Sequence, residues 1–145
     1  MSSHVSLVRQ PLLAGILVAS AVSTAVHYTD NYVFMEAYPQ PPWVTRLGIV
    51  AGWIVLTSVG ALGYWLYRQG HRNLAYACLL VYSVTGLSTL GHYVYGGCSA
   101  FSTKTHVLIV TDGLTGLAVV GFVVWSAHGA PLPSTKPRSC ASSSP

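Results

Sequence analysis

The chain has 145 residues and a net charge of +4, with 52% apolar and only 7% charged residues. A soluble domain carries roughly a quarter charged residues, so a water-facing surface cannot be built from this pool. The seven basic residues lie scattered among apolar runs and make no patch, which excludes nucleic acid as a partner. No P-loop, GxGxxG or GxSxG sequence is present, which removes nucleotide binding and the hydrolase elbow.

Lipid-facing helices need no charge, and a mean hydropathy of +0.52 suits them. Four apolar stretches, at about 11–30, 44–67, 73–95 and 105–127, are each long enough to cross a hydrocarbon core of about 30 Å as a helix. They show no sustained period-2 alternation, so strands of a barrel are not indicated. The expected fold is all-α: an integral membrane four-helix bundle, up-down-up-down with short loops, formed by residues 1–130 as one domain.

The first span ends in His27-Tyr28-Thr29-Asp30-Asn31. Arg9, the apolar stretch and Ser23-Thr24-Ala25 also resemble a signal peptide with a small-residue cleavage site. Apolar and aromatic character resumes directly after Ala25, which favours a retained span.

The connection at 31–43 reads NYVFMEAYPQPPW. Pro39, Pro41 and Pro42 forbid helix and favour a stiff extended path. Val33, Phe34 and Met35 argue against a free linker, so the segment is expected to pack as a lid over the bundle mouth. Glu36 within it is read as solvated.

The second span carries Gly48 and Gly52, a GxxxG pair read as a helix-packing face. A tight polar turn with Arg68, Gly70, His71 and Arg72 leads to the third span, which ends Gly91-His92-Tyr93-Val94-Tyr95. The loop at 96–104 is rich in Gly, Cys, Ser and Thr. The fourth span opens Lys104-Thr105-His106, holds Asp112 well inside, and is thinned by Gly113, Gly116 and Gly121. Residues 131–145, rich in Ser and Pro, are expected to form a disordered cytoplasmic tail.

Orientation follows from basic residues. Arg9, Arg68, Arg72, Lys136 and Arg138 fall on one side, against Arg46 and Lys104 on the other, so the positive-inside rule puts both termini in the cytoplasm. Trp43, Trp65 and Trp125 near span ends suit the membrane interface. The three cysteines, Cys78, Cys98 and Cys140, show no CxxC or Cys/His zinc spacing and are read as unpaired thiols.

Alternation of the spans gathers the polar residues at the non-cytoplasmic end. All three acidic residues (Asp30, Glu36 and Asp112) lie in that half, with His27, His92 and His106; His4, His71 and His128 fall elsewhere. Ionisable side chains inside spans are costly and usually face a cavity or a partner. His27, Asp30 and Asn31 stand at i, i+3 and i+4, on one helix face, so Asp30 is placed to orient the His27 ring. Asp112, six residues beyond His106 and about 9 Å deeper, cannot share its face.

The candidate catalytic residues are His27, Asp30, His92, His106 and Asp112, converging on one polar cavity, with Tyr28, Asn31, Tyr93 and Tyr95 as substrate-binding residues. This set suits an enzyme using acid/base groups on a lipophilic small molecule, by isomerisation, cyclisation or epoxide opening. The alternatives are a non-catalytic accessory subunit of a larger membrane complex, and a metal- or haem-binding protein using the same histidines. The residues name no cofactor; the lipid bilayer is the one partner they require.

Overall fold

The structure, a computed structural model, describes the backbone of residues 2–129 and the side chains of residues 9–129. The expectations for 131–145, including Lys136, Arg138 and Cys140, and for the His4 side chain lie outside the described residues.

The described residues form five α-helices: α1 (Ser2–Val33), α2 (Arg46–Arg68), α3 (Arg72–Leu87), α4 (His92–Gly96) and α5 (Thr103–His128). A 3-10 turn, Ser88–Gly91, joins α3 to α4, so the third long helical segment runs Arg72–Gly96. The all-α expectation holds, with no strand among the described residues. Among the described residues, four segments are long and apolar enough to cross a membrane: Arg9–Val33, Arg46–Arg68, Arg72–Gly96 and Thr103–His128. Neighbours around the bundle run α1, α2, α3, α5, with α5 closing back onto α1.

The distribution of polarity suits helices that cross a membrane. Val18, Val55, Leu47 and Leu114 are among many large apolar residues on the outside, while Ser20, Thr24, His27, Thr85 and Asp112 are buried. Lipid makes exposed apolar surface neutral and exposed polar groups expensive, which is this arrangement.

Local signals explain the boundaries. Thr45 caps α2 by accepting from the Gly48 amide at 3.1 Å, three residues after the proline pair. Ser102 does the same for α5 with Thr105. At the end of α2, Gly70 takes φ +84°, the Gly70 amide bonds to the Tyr67 carbonyl, and the His71 amide reaches back to Leu66. This glycine-terminated cap turns the chain sharply into α3.

The bundle has two unlike ends. At the Arg9 end the core is apolar, built on Leu13, Leu79, Val119 and Phe122. Buried Arg9 clamps α1 to the end of α5 there, donating to the carbonyls of Ser126 and Gly129 at 3.3 Å each, with its guanidinium 4.8 Å from the Trp125 ring centre. Positive charge at a helix C-terminus complements the helix dipole. At the other end the interior is polar.

Glycines decide which helices meet closely. A Cβ at Gly86 would collide with the carbonyl oxygen of Asp112, and one at Gly116 would crowd Ser83 and Leu87, so these two let α3 and α5 approach backbone to backbone. Gly113 similarly receives Leu90, whereas Gly121 touches nothing. The reading of Gly48 and Gly52 as a packing pair is corrected. Gly52 has nothing within 4 Å of a Cβ position and Gly48 only its own cap, Thr45; both line a cavity.

Candidate functional site

His27 sits in the second-last turn of α1, with its side chain 1% exposed. Its ring partner is Asp112 of α5, with Nδ1 2.9 Å from Oδ2. The expectation that Asp30 orients this ring is therefore corrected: the i, i+3 neighbour turns aside and a residue from another helix takes its place. Asp112 is fully buried, and its second oxygen accepts a hydrogen bond from Ser23, one helical turn before His27 on the same face of α1. Thus Asp112 takes one donor from a hydroxyl and one from an imidazole. With Nδ1 donating, Nε2 keeps a free lone pair. That atom is buried and has no partner.

Asp30 has a different task. Its carboxylate accepts from Tyr38 Oη at 2.6 Å and from Lys104 Nζ at 2.7 Å, tying α1 to the proline loop and to the start of α5. Tyr38 is itself buried, 2% exposed, with its ring 5.5 Å from that of His27 and 5.3 Å from that of His92. Burial, reinforced by the bond to Asp30, pushes the Tyr38 phenol well above its usual range, so it remains a neutral donor.

The segment 34–45 does pack across the bundle mouth, but not by the residues expected to hold it. Val33 and Phe34 are exposed. Tyr38 is the anchor, helped by Pro39, whose carbonyl accepts from His92 Nδ1 at 2.9 Å and whose ring lies against Gly96. Periodicity cannot find such an anchor, because an irregular loop has no repeating face.

His92 comes from the first residue of α4, just after the 3-10 turn. Thr89 there donates to the carbonyls of Gly86, at 2.6 Å, and Ile109, at 3.3 Å, which holds the tightened turn against α5. The His92 ring centre is 5.8 Å from that of His27, and its Nε2 is 3.5 Å from Asn31 Nδ2. The other amide atom of Asn31, Oδ1, is buried without a partner, as is Nε2 of Gln40 in the loop.

These groups surround a cavity of about 460 Å³ between α1, α2, the 3-10 turn and the proline loop, a volume typical of small-molecule sites. His27, Tyr28, Asn31, His92 and Tyr95 reach its wall, together with Gln40, Trp43, Gly48 and Gly52. No Asp, Glu, Lys or Arg lines it. Tyr28 spends its hydroxyl on the Thr85 carbonyl at 3.1 Å. Of the candidate residues, Asp112 stands behind His27 and Asp30 faces the loop, neither at the wall. Tyr93 and His106 form a separate stacked pair, with Tyr93 Oη 2.9 Å from His106 Nδ1 and Phe101 packed between that pair and His92.

Among the described residues, no three His, Cys, Asp or Glu side chains gather as metal ligands. Nor do His27 and His92 present two open ring nitrogens to a haem: His27 Nε2 is free, while His92 Nε2 faces the Asn31 amide. Ser23, Tyr38, Gln40 and Gly52 are site residues that sequence reasoning missed. Only Ser23 carried a usable signal, its i, i+4 spacing to His27.

No protein-family model, curated protein or solved structure matches the chain.

Proposed function

We propose that this protein is a multi-pass membrane enzyme that moves a proton on a lipophilic small molecule bound under the proline loop. One observation carries the reading: His27 presents an unpartnered, buried Nε2 at the cavity wall while Asp112 holds Nδ1 from behind. A carboxylate on one nitrogen fixes the tautomer, leaves the other nitrogen as base, and stabilises the imidazolium once the proton has moved. An isomerisation suits this equipment, since the proton that Nε2 takes from one atom returns to another and no co-reactant is needed. Asn31 and Gln40 supply the remaining polar contacts, and Tyr38 closes the site from above. Basic residues favour placing both termini in the cytoplasm and the cavity toward the other side; a reporter fused after Pro145 that is active only outside the cytoplasm would contradict that topology.

The chemistry is tested without knowing the equilibrium position. Purified protein in nanodiscs is incubated with a membrane lipid extract in D2O, and the extract is searched by mass spectrometry for a component that gains deuterium at carbon. Wash-in by the wild type that disappears in His27→Ala is the expected result. A folded wild-type protein that binds an extract component yet exchanges no hydrogen would refute catalysis and leave a lipophile-binding accessory subunit as the better description.

A further inference from the structure

The cavity beside His27 is not the only opening on its side of the bundle. A second, of about 220 Å³, lies farther along the same α1–α2 seam, walled by Ala14, Leu17 and Ala21 of α1 and by Thr57, Gly60 and Ala61 of α2. Val18 and Ala61 on its rim are exposed, so it opens toward the lipid-facing surface. On α2 the residues facing the two openings recur every turn or so, from Gly48 and Gly52 to Thr57, Gly60 and Tyr64. That stretch is about 24 Å of helix, longer than half of a hydrocarbon core of about 30 Å.

Among the described residues one side-chain hydrogen bond crosses the seam, from Trp53 Nε1 to Thr24 Oγ1 at 3.1 Å, between the two openings. Small residues alone would mean only a thin seam. Here the end beneath the loop also carries His27 and Asn31, which line the cavity, are more than nine-tenths buried and each hold a polar atom without a partner.

Building on the proposed function, we infer that the substrate is an uncharged single-chain amphiphile, with a hydroxyl head at His27, Asn31 and Gln40 and its tail along the α1–α2 seam. The head must be neutral because no charged side chain lines the cavity, and a buried ionised group without a partner is strongly disfavoured. It must offer a donor, because His27 Nε2 and Asn31 Oδ1 are acceptors, and an acceptor, because Gln40 Nε2 is a donor. A hydroxyl does both. The tail must be narrow, because the far opening holds only about 220 Å³ and the Trp53–Thr24 hydrogen bond constricts the seam between the two openings.

The test is photo-crosslinking in phosphatidylcholine nanodiscs with two long-chain primary alcohols, one bearing a diazirine near the hydroxyl and one at the chain end. The head-proximal probe is expected to label peptides containing Trp43 to Gly52. The chain-end probe is expected to label those containing Ala14 to Ala21 and Thr57 to Tyr64. Unlabelled hexadecanol should compete at least roughly ten-fold better than the carboxylate of equal length. Ala21→Phe should remove the chain-end label and keep the head label, and Ala61→Phe, at an exposed position of the same wall, repeats the test if the first variant fails to fold. Uncompeted label spread over the outer faces of α3 and α5, equal competition by the carboxylate, or an unchanged map in both variants would overturn the inference. Labelling reads position, not turnover. Seam label without deuterium wash-in therefore supports this ligand class while refuting catalysis, and wash-in with label elsewhere does the reverse.

Discussion

His27 Nδ1 lies 2.9 Å from Asp112 Oδ2, joining α1 and α5 through two buried side chains. The contact spans 85 positions of chain and leaves the other imidazole nitrogen of a cavity-lining residue without a partner. Most of the site's behaviour follows from this pair.

Asp112→Asn keeps the shape of the side chain and a hydrogen bond to Nδ1 but removes the charge that stabilises an imidazolium. Deuterium wash-in should fall by about a hundred- to ten-thousand-fold with the helical content unchanged. Asp112→Leu instead strands both Ser23 and His27, and thermal unfolding should show a loss of about 1–3 kcal/mol. A fully active Asn variant would show that the carboxylate is structural.

The glycines divide into two classes with opposite consequences. Gly52→Leu projects into open cavity, so the protein should unfold at its normal temperature while crosslinking of the head-proximal alcohol is lost. Gly86→Ala drives a methyl into the Asp112 carbonyl and should cost about 1–3 kcal/mol of stability by forcing α3 away from α5. Equal melting behaviour of the two variants would contradict this division.

The raised phenol of Tyr38 makes the loop sensitive to strong base. A folded pKa above the ordinary 10.0 means that the contribution is complete below about pH 10 and is lost as pH rises beyond it, since the unfolded chain releases its proton first. Hydrogen exchange at residues 34–42 should therefore be flat from pH 7 to 9, after correction for intrinsic rates, and accelerate above about pH 10. Tyr38→Phe should exchange faster at neutral pH, by the loss of about 1 kcal/mol, and lack the Tyr38-dependent increment. The Asp30–Lys104 ion pair is common to both proteins, so the difference between them isolates the phenol.

Arg9 is the counterpart of the site at the far end of the bundle. Arg9→Met keeps the length of the stem but frees the carbonyls of Ser126 and Gly129 and uncovers the face of Trp125. A loss of about 1–3 kcal/mol is expected, with a shift in Trp125 emission and no change in alcohol crosslinking near Trp43. Loss of labelling at that distant end would mean that the two ends fold as one unit.

The sequence by itself determined the class of structure. Low charge and four long apolar runs point to helices able to satisfy their own backbone across a membrane, and antiparallel alternation then puts His27, His92 and Asp112 at one end. What it could not determine was rotation about each helix axis. Local spacing offered Asp30 to His27, but packing of α5 against α1 brought Asp112 instead and left Asp30 to Tyr38 and Lys104. Likewise Gly48 and Gly52 have the spacing of a packing pair, yet α2 turns them toward a cavity, while Gly86 and Gly116 make the close approach. Partners between helices depend on which faces meet, and that is set by the sum of interhelical contacts, which no single segment of chain contains.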